Sequence, residues 1–137
     1  MENDNFRLRL KSIEYSTTNS KAEVMVTLEK EEECFEAKLS GPNTASNISK
    51  MLAKATLCAI EKFCGVSEFL LLEDVSFSAI AGREVAIVAV VIITGSGEQL
   101  LSGSAIINKD KKEAVVRATL DAVNRSITKY QCNTQAG

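Results

Sequence analysis

Carboxylates, thiols and two Ser-Gly pairs are the groups in this sequence that could do chemistry. Acidic side chains are plentiful, as in the run at residues 29–33, but none of the 137 residues is a histidine. Without an imidazole there is no Ser-His-Asp or Cys-His arrangement and no histidine-based metal site. We therefore predict that the chain is not an enzyme, has no catalytic residues and no metal site, and uses no cofactor.

The cysteines are expected to be free thiols, either buried or incidental. They occur at positions 34, 58, 64 and 132, and no two have the C-x-x-C spacing. No histidine is present to activate a thiolate or to complete a metal site. Free thiols are typical of a reducing compartment.

The two Ser-Gly pairs, Ser40-Gly41 and Ser102-Gly103, each precede an apolar helical pattern. A glycine turn exposes backbone N–H groups, and the N-terminus of the following helix favours an anion, so a carboxylate could bind there. The alternative is a strand-to-helix connection that needs glycine only for its backbone angles. A third glycine motif, G-S-G at 95–97, lies between two strand patterns and is predicted to be a hairpin turn.

Composition and charge exclude several classes of partner. Apolar residues make up 45% of the sequence and charged residues 25%, a balance typical of globular proteins. The net charge of -2 includes no basic excess, which disfavours nucleic acid. The longest apolar run, at 85–93, is far shorter than the ~20 residues of a membrane-spanning helix, and the first ten residues are unlike a signal peptide. We expect a cytoplasmic protein with no nucleic-acid and no membrane partner.

The chain is predicted to contain two copies of one unit. In each half, alternating apolar residues predict three strands, and a 3.6-residue period predicts a helix after them. The phrase ATLCAI, beginning at Ala55, returns as ATLDAV at Ala118. Apolar positions of the first strand recur 62 positions later, where Leu8, Leu10, Ile13 and Tyr15 match Leu70, Leu72, Val75 and Phe77.

This order predicts an α+β fold made of a duplicated βββα unit. Two three-stranded antiparallel sheets and two helices would be related by a pseudo-twofold axis. Residues 1–137 would form a single domain of two repeats, at about 6–65 and 68–130. Gly65 is predicted to cap the end of the first helix, and Asp110 with Glu113 has the spacing of a capping box before the second.

The strand at 85–93 also bears on assembly, because it is apolar on both of its faces. The helices can cover one face, and a second subunit is a source of cover for the other. We therefore predict a homodimer. The alternative is that the two halves of one chain cover each other.

From about residue 6 to residue 130, the chain resembles the C-terminal regulatory, leucine-sensing domain of 2-isopropylmalate synthase and of citramalate synthase. That family closes the third strand of its first unit with a turn of roughly G-x-G-P-V-D-A. Here LSGPNTA occupies 39–45, so Gly41, Pro42 and Ala45 match, whereas Asn43 and Thr44 differ. The second unit is similar at Gly103, Asp110, Ala118, Ala122, Asn124 and Arg125.

The resemblance implies a non-enzymatic regulatory module without the synthase barrel. Such a module pairs with a second copy and binds a small carboxylate effector, such as a branched-chain amino acid, near the glycine turns. The implied effector-binding residues are Gly41, Pro42, Asn43, Thr44, Ala45 and Gly103.

Two hypotheses from other classes stand beside this one. The chain could be a structural or protein-interaction module of the same fold, which binds no effector and pairs with an unidentified protein. It could also be an enzyme that uses carboxylates at a dimer interface, although it has no nucleophile motif.

Overall fold

The computed structural model describes residues 8–136, with side chains described for residues 8–127. The described residues form two antiparallel three-stranded sheets, each followed by a helix, so the predicted α+β fold is confirmed. The first sheet has the strand order β1-β2-β3 and the second β4-β5-β6. The elements are β1 (Arg9–Thr17), β2 (Lys21–Lys30), β3 (Glu33–Pro42), α1 (Ala45–Cys64), β4 (Leu70–Ile80), β5 (Arg83–Thr94), β6 (Gly97–Ile106) and α2 (Lys111–Ala136).

Each sheet buries alternate residues of its central strand, because successive side chains of a strand point to opposite faces. The inward side chains of the first sheet are Ala22, Val24, Val26 and Leu28. Those of the second sheet are Ala86, Val88, Val90 and Ile92. We call this helix-covered side of each sheet its inner face and the opposite side its outer face.

Two-residue loops join the strands of the second sheet. Gly95 and Ser96 connect β5 to β6, which confirms the hairpin turn predicted at 95–97. Ala81 and Gly82 connect β4 to β5 with φ angles of 54° and 73°. A loop with two positive φ angles has the twist that matches the right-handed twist of the flanking strands.

A β-bulge occurs at the same place in both units. The extra residue is Lys11 in β1 and Glu73 in β4, and these positions are 62 apart, like the matching apolar residues. A bulge twists its strand and disrupts the local ladder, so it is a specific feature of a sheet. Its recurrence at the same offset supports duplication of one βββα unit.

The two Ser-Gly pairs are not equivalent in the structure. Gly41 is the next-to-last residue of β3, whereas Gly103 lies inside β6, opposite Val88. Val26 precedes Val88 by 62 positions, and its partner on β3 is Ala37. The β5–β6 hairpin is longer than the β2–β3 hairpin, which shifts the glycine away from the position that the sequence repeat suggested.

The helix ends follow from local chemistry. Thr44 precedes α1, and its hydroxyl accepts a hydrogen bond from the Asn47 N–H at 3.1 Å. Gly65 ends α1 with a φ of 73°, which confirms the predicted cap. Asp110 accepts from the Lys112 N–H at the start of α2 at 3.0 Å.

The predicted capping box before α2 is only half formed. Glu113 turns away from the helix start and forms an ion pair with Arg117, with 2.7 Å between the guanidinium and the carboxylate. Residues four apart lie on one helix face, so this pair competes with the capping contact.

Each helix packs on the inner face of its own sheet, and the two helices contact each other. Small residues of both helices are buried: Ala55, Ala59, Ala118 and Ala122. A single cluster of buried apolar side chains includes residues of both units. No helix within residues 8–136 is long and apolar enough to cross a membrane.

Glu61 ties the end of the first unit to the start of the second. Its Oε2 accepts hydrogen bonds from the N–H groups of Phe69 and Leu70, each at 3.0 Å. Both residues are buried where β4 begins. The carboxylate therefore satisfies two backbone donors at the junction, and hydrogen bonds to a charged acceptor are the stronger kind.

We expect Glu61→Ala to lower the free energy of unfolding by about 2 kcal/mol, because it leaves two backbone donors without their acceptor. Urea denaturation measures this change. Lys54→Ala, at an exposed site on the same helix, is the matched control and should stay within about 0.5 kcal/mol of the parent. Equal losses in the two variants would contradict the role assigned to Glu61.

Candidate functional site

Five of the six residues predicted to bind an effector lie where β3 meets α1, from the last two residues of β3 to the first residue of α1. Within this β3–α1 connection, the Asn43 N–H donates to the Ser20 carbonyl and the Thr44 N–H to the Pro42 carbonyl, both at 3.1 Å. The Asn43 side-chain amide donates to the Thr18 carbonyl at 2.9 Å. Two of the backbone donors proposed for a carboxylate are therefore used inside the protein.

The first turn of α1 leaves few backbone donors for a ligand. Thr44 accepts from the Asn47 N–H, and the Asn47 side chain donates to the Pro42 carbonyl at 3.0 Å. The N–H groups of Ala45 and Ser46, both exposed residues, are those that an α-helix leaves without an intrahelical acceptor.

Gly41 serves packing as well as the turn. A Cβ atom there would lie 3.1 Å from the Asn47 Nδ2 and 3.2 Å from the Met51 Sδ. The space where its side chain would be is therefore next to α1 and not open to a ligand. Both neighbouring atoms are ends of flexible side chains, so the site can adjust to a methyl group.

Gly103 lies on the other sheet and has a stricter role. A Cβ atom there would come within 2.3 Å of the Ala122 nitrogen and 2.4 Å of the Ala118 oxygen. These are backbone atoms of α2, which cannot move away alone. Glycine is required at this position because the helix backbone lies directly on the strand.

A shallow hollow of about 200 Å³ lies beside the β1–β2 turn and reaches Ser40, next to the predicted effector turn. Lys21 is its basic residue, and its remaining lining is small or hydroxyl-bearing apart from Glu23. The hollow is smaller than the roughly 300–1,000 Å³ of typical ligand pockets. Only a small molecule would fit it.

A larger cavity, of about 480 Å³, lies between the start of β1 and the middle of α2. Its charged groups are already engaged. Arg9 lies 4.0 Å from Glu29, Arg117 pairs with Glu113, and Asp121 accepts from the Ser104 N–H at 3.0 Å. The cavity is open, and Leu8, the first described residue, is part of its lining.

The three cysteines with described side chains differ in their surroundings. Cys34, Cys58 and Cys64 are free thiols, and Cys34 is exposed. Burial raises the pKa of Cys58, and burial together with Glu61 raises the pKa of Cys64 to about 12. The thiols of Cys58 and Cys64 are therefore neutral at pH 7 and weak nucleophiles. The side chain of Cys132 lies outside the described residues.

The outer face of the second sheet is the most distinctive surface of the described chain. Directly opposed residues of an antiparallel sheet share a face, so the strand pairs define rows across it. One row consists of Leu71, Val91 and Leu100, and Ile93 follows along β5. Leu71 is 48% exposed, Leu100 64% and Ile93 41%.

Farther along the outer face, polar side chains of β4 and β6 lie on both sides of the apolar side chains of β5. Ser76 and Ser104 flank Ile87, while Asp74 and Ser102 flank Ala89. A further row consists of Ser78, Val85 and Ile106. Charged residues of this face include Asp74, Arg83 and Glu98, which lie on its edge strands or at its ends.

The corresponding face of the first sheet is charged. The row at the position of Leu71, Val91 and Leu100 is Arg9, Glu29 and Cys34. The row at the position of Ser76, Ile87 and Ser104 is Glu14, Met25 and Lys38. The outer face of the first sheet is therefore polar, whereas the corresponding face of the second sheet is largely apolar.

The sequence pattern identified the central strand of this surface but missed its borders. Residues 85–93 are predicted to need cover on their second face. Among the described residues, the outward side chains of Ile87, Ala89, Val91 and Ile93 remain partly or fully exposed, whereas Val85 is buried. The alternating serines of β4 and β6 were a signal that could have located the flanking strands.

No protein-family model matches this sequence, and no curated protein matches it. Within the described residues, no group of three or more histidine, cysteine, aspartate or glutamate side chains could hold a metal ion. The outer face of the second sheet is thus the candidate functional surface, with the β3–α1 connection as a second candidate.

The two glycines should differ sharply in their tolerance of alanine. We expect Gly103→Ala to destabilise the fold by about 3 kcal/mol or more, because its methyl group meets helix backbone. Gly41→Ala should cost about 1 kcal/mol or less, because flexible side chains can yield. Urea denaturation of both variants at one protein concentration makes the comparison, and equal costs would contradict the close approach of α2 to β6.

Proposed function

We propose that this chain is a non-enzymatic interaction module that pairs with a second copy of itself through the outer face of the second sheet. The observation that carries the proposal is the contrast between the Leu71–Val91–Leu100 row and the charged row at the same place in the first sheet. Contiguous exposed apolar surface of this kind marks interaction sites.

The dimensions of the face suit a small symmetric interface. Three strands about 5 Å apart and ten residues long at about 3.4 Å per residue cover roughly 500 Å² of flat area. Two such faces together approach the roughly 1,200 Å² at which specific interfaces begin, because accessible surface exceeds flat area. A second copy supplies a partner of the same size and the same apolar character.

The faces are more available than the sheet edges. β1 and β4 each carry a bulge, which disrupts pairing with a further strand. On β3, Lys62 donates to the outward carbonyl of Glu36, and on β6 Asp121 accepts the Ser104 N–H. These contacts occupy edge groups that strand addition would need, which favours stacking over edge pairing.

The compartment belongs to the same proposal. The cysteines with described side chains are free thiols. A reducing compartment such as the cytoplasm keeps thiols in this state, and we place the protein there.

Leu100→Glu should convert a dimer into a monomer at micromolar concentration, because it places a carboxylate in the apolar row. Sedimentation equilibrium measures the mass against the 14.8 kDa of one chain. Cys34→Glu is the matched control, because Cys34 occupies the position in the first sheet that Leu100 occupies in the second. This substitution should leave the dimer intact. A monomeric parent, or a Leu100→Glu variant that remains dimeric, would overturn the proposal.

Binding of a small carboxylate, such as a branched-chain amino acid, is the second candidate function. The hollow beside Ser40 favours it, because Lys21 supplies a cation there. The exposed helix start at Ala45 and Ser46 has two free backbone donors, although neither residue lines the hollow. Gly41 would then serve to hold the turn in place, and Gly103 would act only through packing.

A thermal-shift screen of amino acids and keto acids tests this second function. A ligand at 100 times its Kd should stabilise the fold by about 2.7 kcal/mol. Lys21→Met should abolish the shift, whereas Lys54→Met, on the exposed side of α1, should preserve it. If no compound in the screen raises the midpoint, or if Lys21→Met keeps the full shift, effector binding at this hollow is wrong.

A further inference from the structure

We infer that the two copies stack with their twofold axis parallel to β5, so that β4 of each copy lies on β6 of the other. This inference rests on the proposed dimer and specifies its geometry. Leu71 would contact Leu100 of the partner subunit, and Asp74 would meet Ser102 of the partner subunit.

On the outer face, two of four successive rows have the same residue on either side of β5. Read from the row of Val91 to the row of Val85, the β4 side presents Leu71, Asp74, Ser76 and Ser78. The β6 side presents Leu100, Ser102, Ser104 and Ile106 in the same rows. Leucine is therefore matched by leucine in the Val91 row and serine by serine in the Ile87 row, whereas Asp74 is matched by Ser102 and Ser78 by Ile106.

A symmetric stack of two such faces has two simple geometries. Sheets that pack face to face keep their strand directions within about 30°, so the axis lies along the strands or across them. An axis across the strands lays β4 on β4 and β6 on β6. An axis along β5 keeps every row in place and exchanges β4 with β6.

Side-chain chemistry favours the axis along β5. Each exposed leucine then covers the other leucine, and β5 lies on its own apolar copy from Val85 to Ile93. The Asp74 carboxylate faces a serine hydroxyl, which can donate to it and offset its desolvation. Arg83 would meet its own copy, but it is exposed at the hairpin end and long enough to extend into water.

The axis across the strands gives poorer matches. Centred on the Ala89 row, it covers the whole face but sets Asp74 against Asp74 and Leu71 against Ser76 of the partner subunit. Like charges in direct opposition disfavour association. Centred on the Val91 row, it sets leucine on leucine but leaves Ile87, Val85 and Ile106 without cover.

Mixing experiments distinguish the two geometries. Leu71→Lys and Leu100→Glu should each raise the dimer Kd at least tenfold, because each places a charge against a leucine. Their equimolar mixture should form heterodimers within about tenfold of the parent Kd, since lysine then faces glutamate at one contact and leucine faces leucine at the other. Native mass spectrometry identifies the heterodimer by its mass.

The matched control mixes Leu71→Lys with Leu71→Glu. With the axis along β5 these two substitutions never face each other, so this mixture should remain as weak as its components. Heterodimers that form at near the parent Kd only in the mixture of Leu71→Lys with Leu71→Glu would establish an axis across the strands and overturn the inference. A dimeric parent in that experiment would leave the proposed function standing, whereas a monomeric parent would overturn both.

A conservative substitution tests the same geometry in case the Leu71 and Leu100 variants misfold. Asp74→Asn keeps an acceptor for Ser102 and should change the dimer Kd less than threefold. If the two Asp74 side chains faced each other, this substitution would remove their repulsion and tighten the dimer at least tenfold. That result would also overturn the axis along β5.

Discussion

The constraint behind this structure is that each three-stranded sheet has one helix to cover it. A sheet has two faces, and burial of apolar surface is the main favourable term in folding. Each helix covers an inner face and packs closely because small residues line the contact, with Gly103 directly against the backbone of α2. In the described part of the chain, each helix therefore leaves the outer face of its sheet uncovered, and this face is charged in the first unit and largely apolar in the second.

The two units keep the same frame and differ where they meet their surroundings. The bulge at Lys11 recurs at Glu73, and the inward residues of β2 and β5 follow the same alternation. Outward residues are different in kind: a row of Arg9, Glu29 and Cys34 in the first sheet becomes Leu71, Val91 and Leu100 in the second. Packing against the helices restricts which residues can occupy the inner faces. The residues of an outer face can be either polar or apolar.

The β3–α1 connection illustrates how much of a glycine motif local hydrogen bonding can explain. Asn43 and Thr44 donate within the connection, and Thr44 and Asn47 satisfy the start of α1. A turn of this composition needs no ligand to be complete. Lys21 in the nearby hollow supports the second proposed function, effector binding. The two proposed functions use different sheets, so neither excludes the other.

Periodicity and turn chemistry are local properties, so the sequence by itself determined the order of elements, the repeat, the cap at Gly65 and the turn at 95–97. It also marked residues 85–93 as apolar on both faces. Only the tertiary structure decided that Gly103 packs against α2, that Glu113 pairs with Arg117, and that Leu71 and Leu100 flank Val91. These features depend on strand register and on the approach of a helix to a sheet. Both are set by contacts between residues distant in the chain, which the hydrophobic pattern of one segment does not contain.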